Sequence, residues 1–509
     1  MFIKNTWING KQYNFYEDKT TSDNKFTILI GENASGKSEL IREVVGAVIR
    51  TNIVDCESDL SPYSDPLDEY LNDKYKYTIS HKRKEINFSL NLIFEKPVLI
   101  NYRSNNSYRV VKNYLGEELK ISDGVFRYKF DVETTSSQIK SLREKMNVIA
   151  ISNTPYDKFP ILKSKSGRDI NNIGYSCISL KNNEEQSYDI HDSRYKSDSK
   201  IVEFCYALLE CLELNRELEL FRVFDYLKLS TNIRMHYTLD NKKSMFNNIN
   251  NDDEYLINLK GRAKKIYRKM IKSDVNDELK DIGLDSTRTF EFSINDNNYQ
   301  ESLSDMIILA RSGMLNFLNV DFLGQDDLAL TEFSSGQLSV LYSTVGLLSR
   351  IKDNSLIFID EPEISLHPKW QETILILYKE IIDKYKLCHL IAATHSPQVA
   401  SSLSDDGCYV LRMKDAALFQ SQRYKNSSID FHLADFFNAP GTHNDFIATE
   451  LIKVLTLLTR TGEIDHEVKI RIDKLRSYEE NIKKHDPLNK LYLMLSKMED
   501  RINHASKSD

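Results

Sequence analysis

An eight-residue run near the amino end of the chain has residue types and spacing suited to binding a triphosphate. The run is Gly31, Glu32, Asn33, Ala34, Ser35, Gly36, Lys37 and Ser38. It fits the pattern G-x-x-x-x-G-K-[ST], whose glycines let the backbone wrap around a phosphate and whose N–H groups form an anion site at a helix start. Lys37 can bridge the β- and γ-phosphates, and the Ser38 hydroxyl can ligate Mg²⁺. The run therefore predicts a site for a nucleoside triphosphate and Mg²⁺.

Two acids, Asp360 and Glu361, directly follow the apolar run Leu356–Ile359. A strand that ends in two acids delivers carboxylates to the edge of a sheet where α/β proteins bind ligands. Asp360 can hold the Mg²⁺ directly or through a water, and Glu361 can polarise an attacking water as a general base. The alternative, an acidic cap on the next helix, is less favoured because a phosphate loop lies in the same chain.

A second group suited to anions stands at the start of another predicted helix. It consists of Ser334, Ser335, Gly336 and Gln337. A hydroxyl and bare amides at a helix N-terminus attract a phosphate. Since the chain already has one phosphate loop, the second group suggests contact with the γ-phosphate held by a second molecule. The alternative is a plain N-cap provided by Ser334 or Ser335.

A histidine, His395, stands immediately after a predicted buried strand, within the run Ala393-Thr394-His395-Ser396-Pro397. Next to the acid pair, it can contact the γ-phosphate and the attacking water. A lone histidine is more often structural, so this role depends on its neighbours.

Length and composition exclude several classes of protein. The 509 residues correspond to one multilobed unit or two to four domains, and 68 basic against 75 acidic side chains give a net charge of −7, which excludes a basic nucleic-acid coat. Six cysteines without a C-x-x-C pair exclude a zinc ribbon or a thioredoxin motif. The start resembles no signal peptide, and no run of eighteen residues is apolar throughout. We expect a cytoplasmic protein with no membrane contact.

Hydrophobic periodicity predicts the elements that must position these residues. We expect a hairpin over residues 2–15, a helical stripe over 40–49 and a helical run from about 200 to 229. Strands are predicted at Phe26–Ile30, Ile86–Phe94, Val148–Ser152, Leu356–Ile359, Leu390–Ala393 and Tyr409–Leu411, and a further helix at Ile374–Ile382. The alternation of strands and helices predicts a mostly parallel sheet with helices on its faces.

The four motifs together resemble those of ATP-binding-cassette (ABC) ATPases. Their counterparts there are Walker A, a signature loop, Walker B with its glutamate, and a switch histidine. The runs 360–368 and 393–397 are similar to the subgroup that includes SMC, RecF-like and OLD-type ATPases and several anti-phage ATPases. The segment 148–160 resembles Septu-type (PtuA) defence ATPases, including retron-associated ones, and Asn153 would take the place of the Q-loop glutamine.

The resemblance implies an α/β ABC-ATPase head with a large helical insertion and a helical C-terminal extension. The expected units are an amino-terminal ATPase lobe (1–100), a mostly helical insertion (101–330), a carboxyl-terminal ATPase lobe (331–420) and the extension (421–509). It also implies hydrolysis of ATP to ADP and phosphate in a homodimer or a higher homo-oligomer. ATP on Lys37 and Ser38 of one chain would be covered by Ser334, Ser335 and Gly336 of the other.

Two functions remain open at this point. The first is a defence ATPase that senses phage infection and controls an effector in trans, such as an HNH nuclease. The second is a DNA-repair or chromosome-maintenance ATPase of RecF or SMC type that clamps DNA. We expect no nuclease activity from this chain alone, because its tail shows no Asp-x-Asp pair and residues 442–445 are interpreted as a loop.

One basic run leaves nucleic-acid contact open. Residues 260–272 contain seven cations and no acid, with Lys260, Lys264, Arg268 and Lys272 on one predicted helical stripe. The stripe could contact a phosphate backbone, or it could be a solvated face over a packed one.

Overall fold

The residues that the computed structural model describes make up most of the chain. They are 2–8, 11–17, 22–32, 35–53, 86–93, 97–104, 109–112, 118–121, 125–128, 147–153, 159, 175–179, 199–239, 261–270, 287–295, 300–312, 314–403, 405–424, 427–435, 437 and 439–505. Asn33, Ala34, Lys260, Lys272, the Asn-rich run 246–253 and most of the segment 153–160 therefore lie outside the described residues.

The described strands run from one end of the chain to residue 420. They are β1 (Phe2–Ile8), β2 (Lys11–Asn14), β3 (Lys25–Ile30), β4 (Ile86–Ile93), β5 (Pro97–Ser104), β6 (Arg109–Lys112), β7 (Glu118–Ile121), β8 (Val125–Tyr128), β9 (Asn147–Ser152), β10 (Tyr175–Ser179), β11 (Asn232–Leu239), β12 (Arg288–Ser293), β13 (Leu315–Leu323), β14 (Leu328–Ala329), β15 (Ser355–Asp360), β16 (His389–Thr394), β17 (Cys408–Arg412) and β18 (Ala417–Gln420).

The described helices are more frequent toward the carboxyl end. They are α1 (Lys37–Ile53), α2 (Ser199–Glu213), α3 (Glu217–Leu227), α4 (residues 261–270), α5 (Gln300–Arg311), α6 (Ser335–Arg350), α7 (Pro368–Gln371), α8 (Ile374–Ile382), α9 (Pro397–Ser401), α10 (Ile429–Asp435), α11 (Asp445–Thr461), α12 (His466–Glu479) and α13 (Leu488–Ala505). Across this part of the chain, no helix is both long and apolar enough to cross a membrane.

A seven-stranded sheet forms the centre, in the order β10-β9-β15-β16-β3-β17-β18. All neighbours pair in parallel except β17 and β18, which pair antiparallel. Every residue of β3, β9, β15 and β16 is buried, as expected for strands covered on both faces. The predicted α/β fold with a mostly parallel sheet is confirmed.

Alternate residues of β3 join different cores on the two faces of this sheet. Ile28 and Ile30 belong to the larger apolar cluster, which includes Leu341 of α6. Leu29 points to the other face and belongs to a cluster with Val44 of α1. The two-residue repeat of a strand thus places α1 and α6 on opposite faces of the sheet.

A buried histidine fastens the amino-terminal hairpin to the central sheet. His389 accepts a hydrogen bond at Nδ1 from the Ile3 N–H (3.2 Å), and its Nε2 lies 3.0 Å from Thr27 Oγ1. The Thr27 hydroxyl donates to the Phe15 carbonyl (2.6 Å), so Nε2 carries the proton of the neutral ring. Burial lowers the pKa of His389 to about 3.

The segment before α6 contains more strand than its sequence pattern predicted. β11, β12, β13 and β14 form a separate antiparallel sheet, and the expected boundary at residue 100 falls within β5. The helical run predicted over 200–229 is two helices, because Asn215 adopts a left-handed backbone (φ 53°) between them.

The last helices form a unit with its own apolar core, which includes Leu451, Ile472 and Tyr492. Polar contacts help to join this unit to the central sheet. Arg412, at the end of β17, donates to the Asp435 carbonyl (2.8 Å), and the Tyr478 hydroxyl donates to the Asp435 carboxylate (2.8 Å).

Residues 442–445 lie at the start of α11. Residues 442–444 precede that helix, Asp445 is its first residue, and Asn444 caps it by accepting from the Ile447 N–H (3.0 Å). The side-chain amide of Asn444 also donates to the Pro440 carbonyl (2.9 Å), so the residue is engaged in local structure. The interpretation of this tetrapeptide as a loop holds for residues 442–444, whereas Asp445 is helical.

Candidate functional site

Three neighbouring strands bring most of the predicted residues to one edge of the central sheet. Residue pairing sets Asp360 beside Ala393 and Thr394 beside Ile30. The carboxyl ends of β15, β16 and β3 therefore lie side by side, as do the loops that follow them. This is the edge at which open α/β sheets bind ligands.

The phosphate loop has the tight backbone that its glycines predict. Gly36 has a φ of +88°, in the region that favours glycine, and the next residue begins α1. A Cβ atom at Gly31 would lie 2.7 Å from Ser35 Oγ, so a side chain there would have to displace the Ser35 hydroxyl. These features match a loop that wraps an anion at a helix N-terminus.

Lys37 is a buried cation held inside this loop. Only 3 % of the residue is exposed. Its Nζ donates to the carbonyls of Gly31 (2.7 Å) and Glu32 (3.0 Å), and it lies 3.0 Å from His395 Nδ1. A buried ammonium held at this loop is well suited to bind an incoming anion, because charge-assisted hydrogen bonds are stronger.

Ser38 and Asp360 meet although they are far apart in sequence. The Ser38 hydroxyl donates to Asp360 Oδ1 at 3.0 Å. Mg²⁺ is commonly held by one or two such oxygens together with substrate phosphates rather than by a full protein cage. Consistent with this, the described residues contain no cluster of three or more metal-ligating acids, histidines or cysteines. The donors present fit Mg²⁺ that is bound jointly with a nucleotide.

Glu361 and His395 face each other across the site. His395 Nε2 lies 3.2 Å from Glu361 Oε1. Because the Lys37 ammonium can only donate, His395 Nδ1 accepts from it and Nε2 carries the ring proton toward Glu361. Glu361 has a φ of +52°, an unusual backbone for a side chain of this kind, and its N–H donates to the Ala393 carbonyl (2.9 Å). Such constrained residues are concentrated at functional sites.

Glu363 is part of this site but was not predicted from the sequence. Its Oε1 accepts from the Thr394 hydroxyl (2.7 Å), the His395 N–H (2.6 Å) and the Ser396 N–H (3.1 Å). Burial raises the pKa of Glu363. The available signal was a third acid within four residues of the run that begins at Asp360.

Asn153 follows β9, the neighbour of β15, and is also buried. Its Nδ2 lies 3.5 Å from the Pro362 carbonyl, and its Oδ1 has no hydrogen-bond partner among the described residues. The structure therefore places Asn153 at the acid-bearing turn, and its role as a substitute for the Q-loop glutamine stays a prediction.

The start of α6 is arranged differently. Ser334 Oγ accepts from the Gln337 N–H (3.3 Å), and Gln337 Oε1 accepts from the Ser334 N–H (3.0 Å), which is a capping box. Ser334 and Ser335 are exposed. A Cβ atom at Gly336 would lie 2.6 Å from the Ser365 carbonyl oxygen, so this start packs on the turn after β15. The N-cap interpretation is confirmed, and the hydroxyls also face solvent.

A family model described as "AAA domain, putative AbiEii toxin, Type IV TA system" matches residues 206–401. The matched segment includes Ser334–Gln337, Asp360, Glu361 and His395 but not the phosphate loop. This part of the chain is therefore similar to an AAA-type ATPase domain.

Two curated proteins are similar over parts of the chain. "Retron Vc95 probable ATPase" of Vibrio cholerae serotype O1 biovar El Tor is 24% identical over 229 residues, which are 44% of this chain and 40% of that protein. "Protein ea59" of Escherichia phage lambda is 33% identical over 88 residues, which are 17% of each chain. The chain thus spans less than half the length of either relative.

Among solved structures, two Smc head domains align with most of the chain. One is the Pyrococcus furiosus Smc head with an extended coiled coil, bound to the C-terminal domain of ScpA, at 11% identity and a TM-score of 0.29, covering 83% of this chain and 97% of that one. The other is an SmcHead bound to the C-winged helix domain of ScpA, at 12% identity and a TM-score of 0.30, covering 82% and 96%. Both superpose poorly overall, so the fold is assigned from the sheet topology and not from these similarities.

Proposed function

We propose that this chain binds and hydrolyses ATP as an ABC-type ATPase. The observation that carries the proposal is the convergence of Lys37, Ser38, Asp360, Glu361 and His395 at one sheet edge. These residues come from three distant parts of the sequence, and each has the chemistry that one part of the reaction requires.

Each of these residues would have a different role in hydrolysis. Lys37 would exchange its loop carbonyls for phosphate oxygens, and the loop amides would hold the rest of the triphosphate. Mg²⁺, held by Ser38 and Asp360, would neutralise charge on the phosphates. Glu361 would take a proton from water, and His395, which donates from Nε2, would orient the carboxylate. The products would be ADP and phosphate.

We further propose that two chains complete the site. Ser334 and Ser335 are exposed at the start of α6, where the helix dipole favours an anion. In a homodimer, or in a higher homo-oligomer built from it, this start would cover the nucleotide bound by the other chain.

The proposed role is regulation of an effector in bacterial anti-phage defence, in the cytoplasm. Support comes from the similarity to a relative whose name assigns it to a retron. The ATPase would act as sensor or regulator, and a partner such as an HNH nuclease would act as effector.

ATP titration and steady-state hydrolysis test the proposed activity. Lys37→Ala should weaken ATP binding by at least about 100-fold, because a charge-assisted contact to phosphate is lost in a buried loop. Lys369→Ala, an exposed lysine of α7, should bind like the parent. A parent chain that does not bind ATP, or a Lys37→Ala chain that binds normally, would overturn the proposal.

A DNA-clamping ATPase is the second candidate, and α4 favours it. Arg262, Lys264, Lys265, Arg268 and Lys269 are exposed on this helix. Ala263 and Tyr267 on the opposite side are buried in the main core. The packed face and the cationic face thus coexist, and five cations over about 15 Å of helix suit a phosphate backbone.

Salt-dependent binding of duplex DNA distinguishes the two functions. If the chain clamps DNA, ATP should strengthen binding, and Lys264→Ala with Arg268→Ala should weaken binding and flatten its salt dependence. Lys483→Ala with Lys484→Ala, two exposed lysines elsewhere, is the matched control. Binding that ignores both ATP and the α4 substitutions would exclude this candidate.

A further inference from the structure

Glu363 organises the connection between β16 and α9. A single carboxylate oxygen, Oε1, accepts from the Thr394 hydroxyl, the His395 N–H and the Ser396 N–H at 2.7, 2.6 and 3.1 Å. Thr394 is the last residue of β16, and Pro397 is the first of α9. These four residues, Glu363 and 394–396, are called the Glu363 cluster below.

The position of the His395 ring depends on this cluster. His395 Nδ1 lies 3.0 Å from Lys37 Nζ, and Nε2 lies 3.2 Å from Glu361 Oε1. Hydrogen bonds weaken steeply beyond such distances, so a shift of about 1 Å in the backbone would disrupt both contacts. Glu363 reaches the backbone of His395, and it therefore acts on the ring without touching the reacting groups.

The other side of the cluster leads to the start of α6. Glu363 lies in a turn in which the Leu366 N–H donates to the Glu363 carbonyl (3.0 Å). Within that turn, Ser365 has a φ of +63°, and its carbonyl oxygen lies 2.6 Å from where a Cβ of Gly336 would stand. A displacement of the α6 start would thus press directly on the turn that holds Glu363.

We propose that Glu363 is a positioning residue, which ties the placement of His395 to the position of the α6 start. The inference rests on the proposed function. In a two-chain site the α6 start of one chain covers the nucleotide of the other, so the Glu363 cluster would align His395 in one site when the other closes. Hydrolysis would then respond to closure at both sites.

The role requires a hydrogen-bond acceptor rather than a negative charge. Glu363 Oε2 has no hydrogen-bond partner among the described residues. Burial raises the pKa of Glu363, and all three hydrogen bonds reach its other carboxylate oxygen, Oε1. Glutamine keeps the accepting oxygen without the charge, so it should replace the glutamate.

Steady-state kinetics separate positioning from binding. For Glu363→Ala we expect kcat to fall about 10–100-fold, the usual cost of losing an outer-shell partner, with the Kd for ATP within about 3-fold of the parent. Glu363→Gln should recover kcat to within about 3-fold. Thr394→Val, which removes one donor and keeps the branched shape, should lose less than Glu363→Ala. Glu380→Ala, an exposed glutamate of α8, is the control.

Hydrogen exchange tests the cluster without relying on activity. In the parent, the amides of His395 and Ser396 should be protected, and Glu363→Ala should speed their exchange about 10-fold or more while Glu363→Gln leaves it slow. If the parent protects these amides but hydrolyses no ATP, the proposed function fails and the hydrogen-bond cluster stands. A Glu363→Ala chain with parental kcat, parental exchange or lost ATP binding would overturn the proposal, as would an inactive Glu363→Gln.

Discussion

Two helix starts in this molecule carry phosphate-type chemistry, but only one is complete within the chain. At α1, Lys37 is buried and Ser38 bonds to Asp360 at 3.0 Å, so the loop is tied to the acids and to His395. At α6, Ser334 and Gln337 satisfy each other, and the hydroxyls face solvent.

This difference indicates where a second chain would contribute to the site. A helix start that binds the nucleotide without a second chain needs acids and cations from its own chain close by. The start of α1 has both nearby. The α6 start has only amides and hydroxyls, which can complete a charged site but not create one. The comparison therefore favours nucleotide binding at α1 and closure by α6 of another chain.

The largest effect should come from an acid placed at the open helix start. Ser335→Glu stabilises α6 through the helix dipole but repels a γ-phosphate. We expect hydrolysis to fall about 100-fold while ATP binding stays within about 3-fold of the parent, as measured by steady-state turnover and nucleotide titration.

The control for Ser335→Glu is a glutamate placed at the first residue of an unrelated helix. His466 is the exposed first residue of α12, and His466→Glu should leave turnover unchanged. Parental turnover by Ser335→Glu would mean that the two helix starts do not cooperate.

A smaller effect is expected at Gly336, which has no room for a side chain. Gly336→Ala would set a Cβ 2.6 Å from the Ser365 carbonyl oxygen. The backbone must shift, which costs about 1–3 kcal/mol in the free energy of unfolding, and kcat should fall as well. Urea denaturation and turnover measure both.

Gly261 offers the matched control, because a Cβ there would meet nothing within 4 Å. Gly261→Ala should be neutral or stabilise by up to about 1 kcal/mol. Equal unfolding free energies for the two variants would show that α6 does not pack on the 365 turn as described.

The last effect concerns the fold rather than either helix start. The pKa of His389 is lowered from 6.5 to about 3, so on acidification the unfolded chain takes up this proton first. The free energy of unfolding should therefore fall as pH drops through 6.5, by about 2 kcal/mol at pH 5.

His389→Gln removes the titrating group and should flatten that part of the pH dependence. Urea denaturation at pH 7 and pH 5 gives the comparison between parent and variant. If both chains lose the same free energy between these pH values, His389 is not the source of the loss.

The elements that carry the site could be predicted because their patterns are local. The helix predicted at Ile374–Ile382 has those bounds in the structure, and the apolar runs before Asp360 and His395 are buried strands. A bare apolar run identifies such a strand, and the parallel sheet then brings the strand ends together.

What could not be predicted depends on contacts between distant residues. Glu363 accepts a hydrogen bond from the backbone N–H of His395, 32 positions away. The pairing of β15 with β16 brings the two residues together. Asn215 stops a helix that periodicity alone would continue, because a left-handed backbone leaves no trace in the hydrophobic pattern. The sequence pattern does not distinguish His389 from other residues of a buried strand, because its hydrogen bonds form only when the amino-terminal hairpin packs on the sheet.

The proposed mechanism depends on one step, in which α6 of one chain covers the nucleotide held at α1 of another. Sedimentation of Glu361→Gln with ATP and Mg²⁺ tests it most directly, since this variant should bind ATP but not hydrolyse it. We expect this variant to sediment at twice the mass of one chain with ATP and at the mass of one chain without ATP. When Ser335→Glu is combined with Glu361→Gln, the mass should not double with ATP. A mass that does not change with ATP would contradict the account.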